Sequence, residues 1–377
     1  MKIALVHDYL NQYGGAERVL STMANYWAER GEEVTLLTLD SGVPPFYPLR
    51  PAVRHRPLDL APEYRNLVVG LFRNLRRLRV FRRVIRESRP DAVISFMDKV
   101  NVLVLLATRG LGVPVLISER TDPTLYEIGR LWAALRRLTY PWAEALVCQS
   151  AAALAHFRPI VGSKAHVIAN PVGAPTATRN YTTVREGTVK KRLIVAMGRL
   201  DAEKGFDLLL DAFCAASVGR PDWSLTIIGE GPLRSELEQQ IKRLGLDGRV
   251  QLPGQVSDPF RVLAHADLFV VSSRFEGFPN ALCEAMACGL PVVSFDCPSG
   301  PAEIISHGVN GILVPAGNPD ALAGALRRLM NDPGECERLA RRAPEILDRF
   351  GMDKIMPRWD ELIAQSRKQL VRENSQG

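Results

Sequence analysis

Short apolar runs alternate with helix-length amphipathic stretches along the whole chain. In the first half the runs fall at residues 3–6, 33–37, 92–95, 113–118, 145–148 and 166–169. They resume at 193–197, 224–228, 250–252, 268–271, 291–294 and 311–314. Strand and helix in repeated alternation predict parallel sheets with helices on both faces, an α/β fold. Between the two series the pattern stops. Residues 170–191 carry Pro171, Gly173, Pro175 and a polar Thr/Arg/Asn stretch. The break predicts a first domain over 1–175, a linker over 176–191 and a second domain over 192–350. A last amphipathic stretch within 351–377 is long enough to return to the first domain before a polar tail. Two doubly wound sheets joined once would leave a cleft at the carboxyl ends of their strands.

Composition adds limits. A chain of 377 residues exceeds one comfortable core and suits two domains. No apolar run is long enough for a spanning helix, and Met1-Lys2-Ile3-Ala4 is charged too early for a signal peptide. Six cysteines and six histidines show no metal-ligand spacing, so reduced thiols, no metal and a cytoplasmic location are expected.

Charge changes the picture more. The net charge is +7, and residues 1–190 hold 26 Lys/Arg against 16 Asp/Glu. Nine arginines face a single acid, Glu87, between Arg65 and Arg89, where Leu71, Leu75, Leu78, Phe81 and Ile85 recur at helical spacing. Such a helix can lie on an anionic membrane surface, each cation contributing on the order of 1 kcal/mol. It can equally pack its apolar face in the core and leave the arginines solvated. No reading-helix motif accompanies the charge, so nucleic acid is not an expected partner.

Candidate chemistry sits where strands give way to helices. Glu276 lies in a loop and Glu284 on the helix that follows, so both can face one pocket at a helix N-terminus. Amides at such a terminus favour phosphate, and carboxylates favour sugar hydroxyls; two solvated acids on an amphipathic turn is the plainer reading. Gly14-Gly15-Ala16-Glu17-Arg18 follows the first strand, where paired glycines admit an anion to the backbone or simply make a tight turn. Gly198-Arg199-Leu200, with Lys204-Gly205, holds the same topological place in the second half. Two cations there can bind a diphosphate and stabilise charge growing on it. Gly229-Glu230-Gly231-Pro232 repeats the strand–glycine turn and would let backbone pass near a nucleoside.

Together with Val6-His7-Asp8-Tyr9-Leu10 and Gly300-Pro301-Ala302-Glu303-Ile304-Ile305, these motifs resemble glycosyltransferase family 4 over nearly the whole chain, most strongly from Lys191 to Pro315. The resemblance implies the GT-B fold, two Rossmann-like domains facing each other across a cleft, with the donor site mostly in the second and the acceptor site mostly in the first. It assigns Arg199 and Lys204 to the donor diphosphate, Glu276 to the donor sugar and Glu284 to the ribose. Gly198, Gly229, Gly277, Phe278, Pro279 and Asn280 line the same donor site, and Gly15 approaches the diphosphate from across the cleft. Arg199, Lys204 and Glu276 are the implied catalytic residues. Transfer with retention and without a metal or other cofactor is implied as well, and no Asp-x-Asp pair is present to hold a divalent cation.

One stretch departs from the pattern. Many members have a histidine after the fourth strand of the first domain; here Ser118-Glu119-Arg120-Thr121-Asp122-Pro123 has none. Glu119, Arg120 and Asp122, with Gly14 and Glu17, are the candidates for the acceptor or sugar vicinity; the alternative for the first three is a helix N-cap region with Asp122 ahead of Pro123. The expected activity is transfer of a hexose or N-acetylhexosamine from a nucleoside diphosphate sugar, UDP-linked, to a growing polyprenyl-diphosphate-linked glycan at the inner face of a bacterial membrane. A transferase of the same fold with a soluble sugar or sugar-phosphate acceptor, and a non-catalytic nucleotide-sugar-binding subunit, are the competing readings.

Overall fold

The structure is a computed structural model of the 377-residue chain. It describes all residues except 13, 61–66, 122–127, 174, 176–190, 257, 299 and 377, and the backbone alone for 67–71 and 372–376. The expected linker therefore lies, apart from Lys191, outside the described residues, as does Asp122. The chain divides into two compact units, Met1–Pro171 with Asp353–Gly377, and Val172–Met352.

Unit 1 is built on a parallel sheet of β1 (Lys2–His7), β2 (Glu33–Thr38), β3 (Arg54–Pro57), β4 (Ala92–Phe96), β5 (Val115–Ser118), β6 (Ala145–Cys148) and β7 (Ala165–Val167). The strands run in the order β3-β2-β1-β4-β5-β6-β7. Its helices are α1 (Gly15–Glu29), α2 (Leu67–Ser88), α3 (Asp98–Thr108), α4 (Arg130–Thr139) and α5 (Ala151–Val161). The central strands are buried on both faces, as in β4, where all of Ala92 to Phe96 is shielded. The Ser150 side chain accepts from the Ala153 N–H at 3.2 Å and so starts α5. β3 was not expected from the apolar pattern: Arg-His-Arg-Pro forms an edge strand whose side chains stay largely in water, so it needs no apolar face.

Unit 2 repeats the plan with β8 (Arg192–Met197), β9 (Trp223–Ile228), β10 (Val250–Gly254), β11 (Leu268–Val271), β12 (Val292–Asp296) and β13 (Ile312–Pro315). The order is β10-β9-β8-β11-β12-β13, again all parallel. Its helices are α6 (Phe206–Ala216), α7 (Arg234–Arg243), α8 (Pro259–Leu263), α9 (Asn280–Ala287), α10 (Pro301–Ile304), α11 (Pro319–Asn331), α12 (Pro333–Arg342) and α13 (Leu347–Phe350). Phe213, Phe295, Leu225, Leu268 and Leu326 are among the side chains that fill one continuous core between sheet and helices.

The last helix, α14 (Met352–Gln376), packs in unit 1. The Trp27 indole N–H donates to Asp360 at 2.7 Å, Arg367 pairs with Asp91 at 2.8 Å, and Trp359 stacks on Phe96. The basic helix α2 behaves differently along its length. Phe81, Val84 and Ile85 are buried in the unit 1 core, whereas Phe72 is 69% and Leu75 39% exposed among Arg73, Arg76 and Arg79. The helical spacing thus carries past the edge of the core, and Leu75 does not join it. Among the described residues, no helix is long and apolar enough to cross a membrane.

Candidate functional site

In unit 2, β8 and β11 are neighbours whose chain connections leave in opposite directions, toward β9 and toward β12. At such a switch point the loops beyond the strand ends part, which is where doubly wound sheets bind ligands. The loop after β8 carries Gly198, Arg199 and Lys204, and the loop after β11 carries Ser272 to Pro279.

Lys204 and Glu276 meet there. The Lys204 ammonium donates to Oε1 of Glu276 at 2.7 Å and to Oε2 at 2.8 Å. Ser273 Oγ donates to the same Oε1 at 2.6 Å, and Ser272 Oγ donates to the Lys204 carbonyl at 2.9 Å. Burial works against the ammonium, but the Glu276 carboxylate beside it holds the Lys204 pKa above its ordinary value. The ammonium therefore keeps its charge at neutral pH. An ammonium has three N–H groups, so with two on Glu276 a third can serve an anionic ligand.

Backbone proximity explains the glycines. Gly205 is left-handed at φ 59°, and a Cβ there would lie 2.2 Å from the Ser272 carbonyl oxygen. At Gly229 a Cβ would lie 1.8 Å from the Gly198 carbonyl oxygen, so the turns after β8 and β9 can touch only as glycines.

The remaining expected donor residues surround this pair less tightly. Arg199 is exposed and donates through Nε to Asp201 at 2.8 Å. Glu284 is buried on α9, one turn past Asn280. At the start of α9, Asn280 donates its N–H to the Phe278 carbonyl at 2.9 Å, and Pro279 has none to give. Gly277 and Phe278 are half-buried in the loop that brings Glu276 to Lys204. Ser273 and Asp201 belong to the same constellation and were not singled out from sequence, although each lies within three residues of a residue that was.

Unit 1 has its own switch point, between β1 and β4. After β1, Gly14 precedes α1 and Gly15 opens it. The buried Glu17 carboxylate folds back over Gly14, where a Cβ would meet it at 2.1 Å. His7 ends β1 with Nδ1 against the Asp8 carboxylate. Burial lowers the His7 pKa and Asp8 raises it, with a net rise above the ordinary value. The His7 ring stacks on Phe96, the last residue of β4, at 6.4 Å between centroids. Met97, next in the chain, takes φ 76°, a conformation unfavourable for a side-chain-bearing residue.

Glu119 and Arg120 follow β5 and take different hydrogen-bond partners among the described residues. Glu119 is buried and accepts from the Tyr140 hydroxyl. Burial raises its carboxyl to about 7, with nearby Asp98 adding to the rise. Asn101 completes this network, donating to the Ser118 carbonyl at 3.1 Å and accepting from Ser95 Oγ at 2.6 Å. The Arg120 guanidinium carbon lies 4.2 Å from the Phe96 ring centroid, and one terminal nitrogen donates to Asn170.

Two family models match, described as glycosyl transferase 4-like domain over residues 14–173 and glycosyl transferases group 1 over residues 183–346. A relative from Campylobacter jejuni is 28% identical over 97% of this chain and 99% of its own. It is named GalNAc-alpha-(1->4)-GalNAc-alpha-(1->3)-diNAcBac-PP-undecaprenol alpha-1,4-N-acetyl-D-galactosaminyltransferase. The amylovoran biosynthesis glycosyltransferase AmsD of Erwinia amylovora is 27% identical over 96% of this chain and 99% of its own. Anabaena HepE, solved in complex with UDP-glucose, superposes with a TM-score of 0.74 at 20% identity, covering 100% of both chains. TarM of S. aureus, solved as a mutant with UDP, gives 0.78 at 13% identity, covering 96% of this chain and 100% of that one. With two family models that between them take in both units, and with GT-B neighbours along its full length, the chain belongs to the glycosyltransferases of family 4 type.

Proposed function

We propose that this glycosyltransferase moves a hexose or N-acetylhexosamine from a UDP-sugar to a growing glycan carried on a polyprenyl diphosphate, with retention and without a metal. The observation that carries the reading is the Lys204–Glu276 pair at the switch point of unit 2, a cation and a carboxylate fixed side by side. Glu276 takes hydroxyls of the donor sugar, and the free N–H of Lys204 takes a diphosphate oxygen. Arg199 swings from Asp201 to the same diphosphate, Glu284 holds the ribose, and Gly198 and Gly229 let backbone pass close to the nucleotide. The Gly277 and Phe278 amides border the sugar and phosphate, while Pro279 has no N–H and Asn280 spends its own on the Phe278 carbonyl. Unit 2 is thus the donor domain and unit 1, with Gly14, Gly15 and Glu17 at its first helix, the acceptor domain.

As the bond from the anomeric carbon to the phosphate oxygen breaks, negative charge grows on the diphosphate, and Lys204 and Arg199 stabilise it. The acceptor hydroxyl approaches on the same face, gives its proton to the departing phosphate oxygen and forms the new glycosidic bond. No carboxylate is asked to attack the anomeric carbon, so the protein's contribution is positioning and charge stabilisation. The names of relatives support the acceptor class, since the Campylobacter enzyme's name specifies an undecaprenol-diphosphate-linked glycan. The exposed Phe72 and Leu75 among arginines support docking of α2 on an anionic membrane at its inner face.

The test is transfer and slow hydrolysis with a panel of UDP-hexoses and UDP-N-acetylhexosamines. Lys204→Ala is expected to reduce kcat by about two to three decades at unchanged melting temperature. An unchanged kcat would remove Lys204 from the chemistry, and activity abolished by EDTA would remove the metal-free mechanism. Flotation with anionic liposomes tests α2, and no salt-sensitive binding would count against the membrane contact.

A further inference from the structure

The donor reading leaves one charged group of unit 1 without a task. Arg120 directs its guanidinium to the switch point between β1 and β4, against Phe96. One terminal nitrogen donates to Asn170, while Nε and the other terminal nitrogen are shielded from water and have no hydrogen-bond partner among the described residues. Those two nitrogens form one edge of the guanidinium, with parallel N–H bonds spaced to meet the two oxygens of a carboxylate or phosphate. His7 reaches the other side of the site, and its Nε2 is likewise buried without a partner among the described residues. A buried cation with an open fork, and with no carboxylate to answer it among the described residues, costs stability in the free protein. Chains retain such a group where a ligand supplies the missing charge.

We propose that Arg120 binds an oxyanion of the acceptor, a carboxylate or phosphate group close to the hydroxyl that receives the sugar. The acceptor is then acidic at its growing end, and Arg120 selects it over a neutral glycan. This rests on the transferase reading and adds to it a substrate class. Phe96 supplies the flat surface on which the guanidinium is held, and Asn170 sets its rotation, so the open edge is aimed before the ligand arrives. His7 Nε2 adds a second polar contact from the end of β1.

The full chain is titrated with glucuronate, inorganic phosphate, glucose and UDP, with binding followed by calorimetry and by thermal shift. Glucuronate or phosphate is expected to bind and glucose not to. Arg120→Met, whose side chain can still cover Phe96, is expected to weaken the anion at least tenfold while UDP affinity holds. Its melting temperature without ligand should equal or exceed that of the parent, because an uncompensated charge has gone. Lys204→Ala should show the reverse pattern, losing UDP and keeping the anion, so failure of the donor site is seen separately. The proposal is overturned if neither anion binds, or if Arg120→Met keeps the anion and melts lower, which would make Arg120 a stacking residue only. It is also overturned if the variant weakens UDP alone, since the oxyanion would then be the donor's diphosphate.

Discussion

Each unit carries a basic residue beyond a strand end, Lys204 after β8 and Arg120 after β5, and the two are treated in opposite ways. In unit 2 the Lys204 ammonium is answered in full by Glu276, and Ser273 holds the carboxylate from behind. In unit 1 the Arg120 guanidinium is answered, among the described residues, by one amide oxygen and an aromatic face, with an edge left open. Glu119, the buried acid next to it in the chain, pairs instead with Tyr140. A neutralised pair stays in place whether or not a ligand is bound, and a ligand can share it without leaving a bare charge. An open cation draws an anion in and is unsettled without one. The first arrangement suits a donor common to many reactions, the second a partner that must be told from others.

Five substitutions break or sharpen this contrast. Glu276→Gln keeps the shape of the unit 2 pair and removes its charge, and should lower kcat by about two to three decades, on the order of 3–4 kcal/mol. Combined with Lys204→Met, the loss should fall well short of additive; additive losses in steady-state kinetics would mean the two act separately. Glu119→Gln addresses the acid that unit 1 keeps apart. The folded protein holds the Glu119 proton up to about 7, above the ordinary 4.5, so stability should fall as pH rises between those values. That fall amounts to about 3 kcal/mol and should vanish in Glu119→Gln, as urea unfolding at pH 4.5 and 7.5 would show. A slope that survives the substitution would assign it to other groups.

The backbone provides the smaller pair. Gly205→Ala forces a Cβ to 2.2 Å from the Ser272 carbonyl oxygen and should cost about 2 kcal/mol while loosening the Lys204–Glu276 contact. Met97→Gly relieves the positive φ at the unit 1 switch point and gives up a half-buried side chain. A net gain of about 0.5–1 kcal/mol is expected in thermal unfolding. A loss would show that Met97 packing outweighs the backbone cost.

Much of the architecture was legible because buried parallel strands announce themselves as apolar runs. Twelve runs expected from sequence coincide with strands, within two residues at most ends, and only β3 escaped. Its Arg54, His55 and Arg56 sit at the sheet edge, so no apolar signal was needed to place them. Helical spacing located α2 and its buried Phe81 and Ile85, but spacing alone cannot tell where a helix runs off the core, as it does at the exposed Leu75. The residues of the proposed donor site were visible as motifs; their pairing was not. Lys204 and Glu276 are 72 positions apart and meet because β8 and β11 are neighbours, a choice of strand order that local pattern does not encode. The open edge of Arg120 was hidden for a related reason. It depends on what is missing around a side chain, and a sequence gives no account of empty neighbours.

Helix α14 has a consequence for how the molecule is made. Trp359 backs the aromatic ring on which Arg120 and His7 rest, and Asp360 takes the indole proton of Trp27. Both belong to unit 1 yet are translated after every residue of unit 2. A nascent chain emerging from the ribosome must therefore carry an unfinished flank, with Trp27 and Phe96 unclosed, throughout synthesis of the other unit. Unit 1 reaches working order last, and a premature stop anywhere downstream would disable the region encoded first.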